Sequence, residues 1–272
     1  SHNDPVCLGD SIQLFIPFSP YANYTWNGPN AFTSNASAPI IYPASANNSG
    51  VYQLNITFNG STCSFFNLLD TVTVHPNPTI NLLNLSNVSC FNAGDGSINV
   101  QGSSTPNYTY SWNTGSTNAG INNLIPGVYN VQVTDGNSCQ STASYQITQP
   151  TLLIANASVT SNYNGQQISC FNASDGTATV TASGGTAPYS YVWYDAANQT
   201  TAQISGLCAF THNVEVTDAN GCIDSAVATV TEPTMLVTTM MDSNQVTCAG
   251  ICDGDATASA AGGIGPYTYN WF

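Results

Sequence analysis

No lysine and no arginine occurs in 272 residues, against fourteen aspartates and glutamates and three histidines, a formal charge of −14. An average domain set of this length carries about thirty basic residues. Without them no salt bridge to Lys or Arg forms, so packing, hydrogen bonds and cross-links must carry stability. Phosphate neutralisation needs Lys or Arg, which excludes nucleic acid as a partner. Attraction to anionic lipid is excluded on the same ground, and so is a Lys–Asn isopeptide cross-link. Trypsin has no site. No apolar run approaches the ~18 residues of a membrane helix. The opening SHNDPVCLGD has neither a basic nor an apolar signal region, so an export signal is expected upstream or already removed. There is no CxxC…CxxC zinc pattern, no G-x-S-x-G, no H-E-x-x-H and no paired-Glu constellation. His2, His75 and His212 do not recur at equivalent positions. The chain reads as a non-enzyme.

The polar surface is built instead from Asn, Ser, Thr and Gln, with 32 Asn. Asn-x-Ser/Thr sequons are plentiful, as this composition makes them by chance. Nine cysteines point to an oxidising compartment if they pair.

Internal repetition organises the chain. CFNAGDGSINV (90–100) recurs as CFNASDGTATV (170–180) and as CAGICDGDATA (248–258). PNYTYSW (106–112) recurs as APYSYVW (187–193) and GPYTYNW (265–271). NVQVTDGNSC (130–139) recurs as NVEVTDANGC (213–222), and TQPT (148–151) as TEPT (231–234). The period is about 80 residues, read from three Cys and three Trp positions. The order predicts four segments: a β-domain of another type over 1–78, a first copy over 79–150, a second over 151–233, and the first part of a third over 234–272. The half of the third copy that would hold V-T-D…C is expected beyond it. Pro-containing joints without Gly/Ser runs separate the segments and should be semi-rigid.

Alternating segments bounded by Gly, Asn and Pro, such as SINV, NYTYSW and VYNVQVTD, predict strands. Domains of this size with about seven short strands predict an all-β tandem array of immunoglobulin-like sandwiches, an elongated rod. Trp26, Trp112, Trp193 and Trp271 each close an alternating aromatic strand, as a core tryptophan of strand C would. Tyr52 and Tyr129 sit where a tyrosine corner would begin strand F, and His212 replaces the tyrosine in the second copy.

The ordered motifs C-x(3–4)-DG, PY-x-Y-x-W, GxY-x-V-x-V-TD-x-NGC and (Q/E)P over residues 79–272 resemble the SprB repeat of giant cell-surface gliding adhesins of Bacteroidetes. Residues 1–78 resemble the Ig-like or PKD-like modules that precede such repeats, through PVCLGDSIQL, YTWNGPNAF and NSGVYQLNIT. The resemblance implies type IX secretion, extracellular display at the cell surface, filaments, adhesion and gliding motility. Its phylum glycosylates Ser/Thr in Asp-Ser/Thr-apolar triplets, which implies Ser11, Thr71 and Ser225 as candidates.

Position within each segment suggests disulfides Cys7–Cys63, Cys90–Cys139 and Cys170–Cys222, each closing a loop of roughly 50 residues, worth about 4 kcal/mol in the chain-entropy model. Cys248 is expected to pair beyond residue 272. The resemblance implies that a Cys in C-x-x-x-C-DG pairs with one in LC-A-G of the same repeat. Cys252 and Cys208 fit those two places but lie in different copies, and the place facing Cys208 holds Ser174. Cys208 is therefore expected to be unpaired and buried, with a bond between repeats as the alternative.

Asp95, Asp175 and Asp253 recur before Gly, and Asp135 and Asp218 recur in T-D-x-N. Turn chemistry, with Asp capping and Gly at positive φ, is one reading. Calcium between oxygen-rich loops is the other, although no 12-residue EF-type loop is present. No other cofactor is indicated.

The function read from these residues is a structural stalk segment of a large secreted adhesin. Its partners are neighbouring domains of the same long chain, with surface polysaccharide or other adhesin fibres as outer contacts and no membrane insertion. The alternatives are a carbohydrate-binding module, for which Tyr21, Tyr24, Tyr163 and Tyr194 are the exposed-aromatic candidates, and accessory domains of a secreted enzyme.

Overall fold

The computed structural model describes residues 1–58, 66–195 and 197–272. Two compact units divide the chain: Ser1–Val88 with Gly94–Thr148, and Ser89–Ala93 with Gln149–Phe272.

The first unit begins with β1 (Val6–Cys7), β2 (Ile12–Gln13), β3 (Ala22–Gly28), β4 (Phe32–Ser34), β5 (Ile40–Ile41), β6 (Gly50–Phe58), β7 (Phe66–Val72) and β8 (Val74–His75). A sheet of order β4-β3-β6-β7 faces the short pairs β2–β5 and β1–β8, the latter parallel. Alternation selects the buried face: Tyr24 and Trp26 of β3 pair in register with Ile56 and Leu54 of β6, and all four are buried.

Residues 79–150 add β9 (Thr79–Ser86), β10 (Gly96–Ser103), β11 (Thr109–Trp112), β12 (Gly120–Leu124), β13 (Gly127–Thr134) and β14 (Gln140–Ile147). They form two antiparallel sheets, β12-β10-β9 and β11-β13-β14. In the second unit β15 (Ile154–Val159), β16 (Gly176–Ser183), β17 (Ser190–Trp193), β18 (Gln203–Leu207), β19 (Thr211–Thr217) and β20 (Ile223–Thr229) repeat the arrangement as β15-β16-β18 and β17-β19-β20. This is the A-B-E against C-F-G order of an immunoglobulin-like sandwich. The chain is a tandem array of such sandwiches. Six strands, rather than about seven, make up each of these two copies among the described residues.

The period-2 pattern places Tyr129, Val131 and Val133 in one core and His212, Val214 and Val216 in the next, all buried. Trp112 and Trp193 are buried at the ends of β11 and β17, and their indole N–H groups donate to the carbonyls of Asn118 (2.8 Å) and Thr201 (3.1 Å). Trp26 does the same to Ala36 at 3.0 Å. The tyrosine corner is present three times. Tyr52 donates to the Asn48 carbonyl (2.9 Å) and Tyr129 to the Ile125 carbonyl (2.8 Å), while the His212 ring Nε2 lies 3.1 Å from the Cys208 carbonyl. In each the acceptor is four residues upstream, so His212 reproduces the tyrosine contact with a ring N–H.

The glycine of each D-G pair serves close approach rather than positive φ. A Cβ on Gly96 would lie 2.9 Å from the Leu124 carbonyl oxygen, and one on Gly176 2.9 Å from that of Leu207. Both mark the bulge where β10 and β16 pair with β12 and β18.

The last segment holds β21 (Val237–Asn244) and β22 (Asp255–Ala261), paired antiparallel as β9 pairs with β10. Residues 265–272 are not a strand, and Tyr267, Tyr269 and Trp271 are exposed. This corrects the expectation of a half-buried third strand C. Strands β11 and β17 are ordered by pairing with β13 and β19, and residues 234–272 contain no counterpart of those partners.

Candidate functional site: a recurring disulfide clasp

Two disulfides join one sequence segment to the next. Cys7 bonds Cys139 within the first unit and Cys90 bonds Cys222 within the second, with Cα–Cα distances of 5.5 and 5.6 Å. This corrects the expected pairs Cys7–Cys63, Cys90–Cys139 and Cys170–Cys222. The bracketing cysteines of one copy do not meet. Cys7 and Cys90 each reach the cysteine of the T-D-x-N-x-C loop of the following segment. Cys170 is free and exposed, and Cys63 lies outside the described residues.

Each clasp has two halves. The hook is a tight turn that starts at the leading cysteine. The N–H three residues on donates to its carbonyl: Asp10 to Cys7 at 3.1 Å, and Ala93 to Cys90 at 3.0 Å. Within the hook, Asn92 has a positive φ of 60° and its N–H donates to the Gln149 side chain at 2.8 Å. In the second copy Asn172 (φ 61°) donates to Glu232 at 2.8 Å. The Gln or Glu of the T-(Q/E)-P joint is thus the cap of the hook, a role its position after a strand did not announce.

The other half is the T-D-x-N-x-C loop. The Asp135 carboxylate accepts N–H groups of Asn137 (2.9 Å) and Cys139 (3.0 Å) on one oxygen and the Ser104 hydroxyl (3.1 Å) on the other. Asp218 accepts Asn220 (2.8 Å), Cys222 (2.9 Å) and Thr186 (2.8 Å) N–H groups. Both aspartates are buried. Burial opposes the charged form of Asp218, but the N–H groups of Cys222, Thr186, Asn220 and Gly221 outweigh it and hold the carboxyl below the ordinary range. The loop asparagine then reaches the hook side. The Asn137 amide donates to His75 Nδ1 (3.0 Å), the register partner of Cys7, and to Thr105. The Asn220 amide donates to the Ser89 carbonyl (2.9 Å), next to Cys90, and to Thr186.

The five aspartates do not converge. Asp135 and Asp218 cap their loops as described. Asp175 accepts the Ser169 N–H at 3.1 Å, and Asp253 accepts the Thr247 N–H at 2.9 Å and its hydroxyl. Asp95 precedes Gly96 at the start of β10. Among the described residues no group of three or more His, Cys, Asp or Glu is placed to hold a metal ion. The glycosylation candidates Thr71 and Ser225 are exposed and Ser11 half-buried. Of the aromatic candidates, Tyr21 and Tyr194 are exposed, Tyr163 is half-buried with its hydroxyl donating to the Asp175 carbonyl, and Tyr24 is buried. Cys208 is free as expected but exposed rather than buried, because its side chain lies just past the end of β18 while its carbonyl serves His212. Cys248 and Cys252 are also free and exposed.

The SprB repeat family matches residues 82–117, 162–198 and 241–271. The SprB repeat thus recurs as a match at three places along the chain. The matches start in β9, just after β15 and in β21, and each takes in its tryptophan motif, so the T-D-x-N-x-C half of the clasp lies outside the matched stretches. No curated protein matches the sequence. Among solved structures, the chain is similar to three N-terminal domains of the bacteriophage RB49 Highly Immunogenic Outer Capsid protein. The identity is 13%, the TM-score 0.33, and the match covers 85% of this chain and 97% of that one. It is also similar to the mouse nectin-like molecule 4 ectodomain (Ig1–Ig3), at 12% identity and TM-score 0.34, over 84% and 96% of the two chains. No helix among the described residues is long and apolar enough to cross a membrane.

Proposed function

We propose that this segment is a non-catalytic structural stretch of a secreted cell-surface adhesin, acting in surface attachment and gliding. It spaces a binding region elsewhere in the parent chain from the cell. The supporting observation is the clasp in a chain that matches the SprB repeat at three places: a leading cysteine bonds into the following segment twice, once from the first segment (Cys7) and once from the first SprB match (Cys90). A covalent connection between consecutive sandwiches serves load-bearing and has no use in a catalytic site. Disulfides form and persist in an oxidising environment, which fits extracellular display after type IX export. Exposed Thr71 and Ser225 are open to O-glycosylation. Neighbouring fibres and surface polysaccharide are the outer contacts of such a stalk. The test is antibody raised against the 272-residue chain and applied to intact cells of the source organism. Labelling without permeabilisation, lost after protease shaving, is expected. Signal that appears only after permeabilisation overturns the reading.

A further inference from the structure

The two clasps overlap along the chain. Each spans 132 residues, one from Cys7 to Cys139 and the other from Cys90 to Cys222. Residues 90–139 belong to both loops. We propose that this overlap makes the pair of clasps an extension stop, which takes most of the chain out of the covalent load path when the segment is pulled end to end.

The path follows from connectivity. Tension entering at residue 1 reaches Cys7 and crosses to Cys139. It then runs backward along the chain from residue 139 to residue 90, crosses to Cys222, and leaves toward residue 272. Between Cys7 and Cys222 only the 49 residue steps from 139 back to 90 are stretched, where the unclasped chain offers 215. Residues 8–89 and 140–221 lie off the path. Most of the sandwich of residues 1–78 and of the second repeat is therefore bypassed, β1 and β20 excepted, and the backbone of the first repeat carries the load in reverse direction. At about 3.5 Å per extended residue, the whole chain would reach about 950 Å without clasps and about 380 Å with them.

Overlap also makes the clasps non-additive, which two separate loops would not be. With one clasp removed, the shortest path between Cys7 and Cys222 lengthens from 49 to 83 residue steps, whichever clasp is lost, because Cys7–Cys90 and Cys139–Cys222 are equally spaced. The first loss releases about 120 Å and the second about 460 Å. One clasp alone thus retains most of the limit, so a single reduced bond leaves the stop in force.

This inference deepens the load-bearing reading but rests on the two disulfides alone; its failure would leave surface display untouched. It is tested by single-molecule pulling of the full 272-residue chain through handles at its two ends. Under non-reducing conditions the limiting contour length is expected near 380 Å, rising about 2.5-fold after complete reduction. The pairs Cys7→Ser with Cys139→Ser, and Cys90→Ser with Cys222→Ser, are each expected to gain only about 120 Å. Contour length does not depend on how well a variant folds, and peptide mapping confirms the remaining bond. The reduced wild-type chain needs no variant. An oxidised wild-type chain that extends to the reduced length overturns the proposal. So does a gain of about 460 Å on losing one clasp, which is the signature of separate loops.

Discussion

At the scale of single residues the acidic side chains act as backbone caps. Asp218 is 5% exposed, and its carboxylate accepts three N–H groups. Asparagine offers one acceptor oxygen in place of two, so Asp218→Asn leaves at least one of those N–H groups unpaired. A loss of about 2 kcal/mol is expected in urea unfolding at unchanged m-value. The pH dependence has a definite sign. The folded carboxyl titrates below the unfolded one, so its contribution is complete above the unfolded carboxylate range near pH 4. It is lost as pH falls through the lower folded value. Wild-type stability should therefore decline below about pH 4, with a shallower decline in Asp218→Asn. Because the oxygens of Asp135 and Asp218 are already engaged by N–H and O–H donors, EDTA at low salt should leave the thermal midpoint unchanged. A fall on chelation would show that a cation replaces some of those donors. The corner position gives a further test. His212→Phe removes the ring donor to the Cys208 carbonyl, for an expected loss of about 1 kcal/mol. His212→Tyr, which restores the contact made by Tyr129, should recover it.

At the scale of elements, the copies can be read against one another. The register Gly96↔Leu124 equals Gly176↔Leu207, so Gly94 corresponds to Ser174 and Ile125 to Cys208. A Cβ on Gly94 would lie 3.7 Å from Ile125 Cγ2, so side chains at these two positions meet. Ser174→Cys is therefore expected to bond Cys208. Closing that loop is worth about 4 kcal/mol in the chain-entropy model. Non-reducing peptide mapping should show the linked pair, and two alkylated thiols would refute the correspondence. Much of this element-level order is legible in the sequence. Strands, the buried Trp and the tyrosine corners follow from period-2 alternation and from contacts within four or a few residues, which sequence order exposes directly. The cysteine pairing does not, because it is decided where consecutive domains meet. A signal was nonetheless present. Bracketing pairs predict unequal spacings, Cys7–Cys63, Cys90–Cys139 and Cys170–Cys222, whereas the true pairs share one separation of 132. The hook supports this. Cys170 and Cys248 start the same turn as bonded Cys90, with Ala173 and Ile251 N–H groups donating back at 3.1 and 3.2 Å, while their thiols stay free.

At the scale of the whole molecule, stability and solubility are carried by different groups. Each clasp closes 132 residues, worth about 5 kcal/mol in the chain-entropy model for one loop. The two contributions are less than additive because the loops overlap. That covalent support stands in for the ion pairs a chain without Lys or Arg cannot make. Solubility rests on charge of one sign: fourteen acids give −14 at neutral pH and a sequence pI near 4.1. Like charge keeps neighbouring copies apart, and the edge strands β7, β9 and β14 carry no Lys to discourage pairing between molecules. Repulsion must then do what edge lysines usually do. It is screened within about 10 Å at 0.1 M salt and vanishes as the carboxylates protonate. Light scattering should accordingly show a dispersed chain at pH 7 and low salt, and reversible association near pH 4. Because the disulfides do not titrate, the association should begin before the folded circular-dichroism signal is lost. A chain equally dispersed at pH 4 and pH 7 would show that its neutral Asn, Ser and Thr surface, rather than its charge, keeps the copies apart.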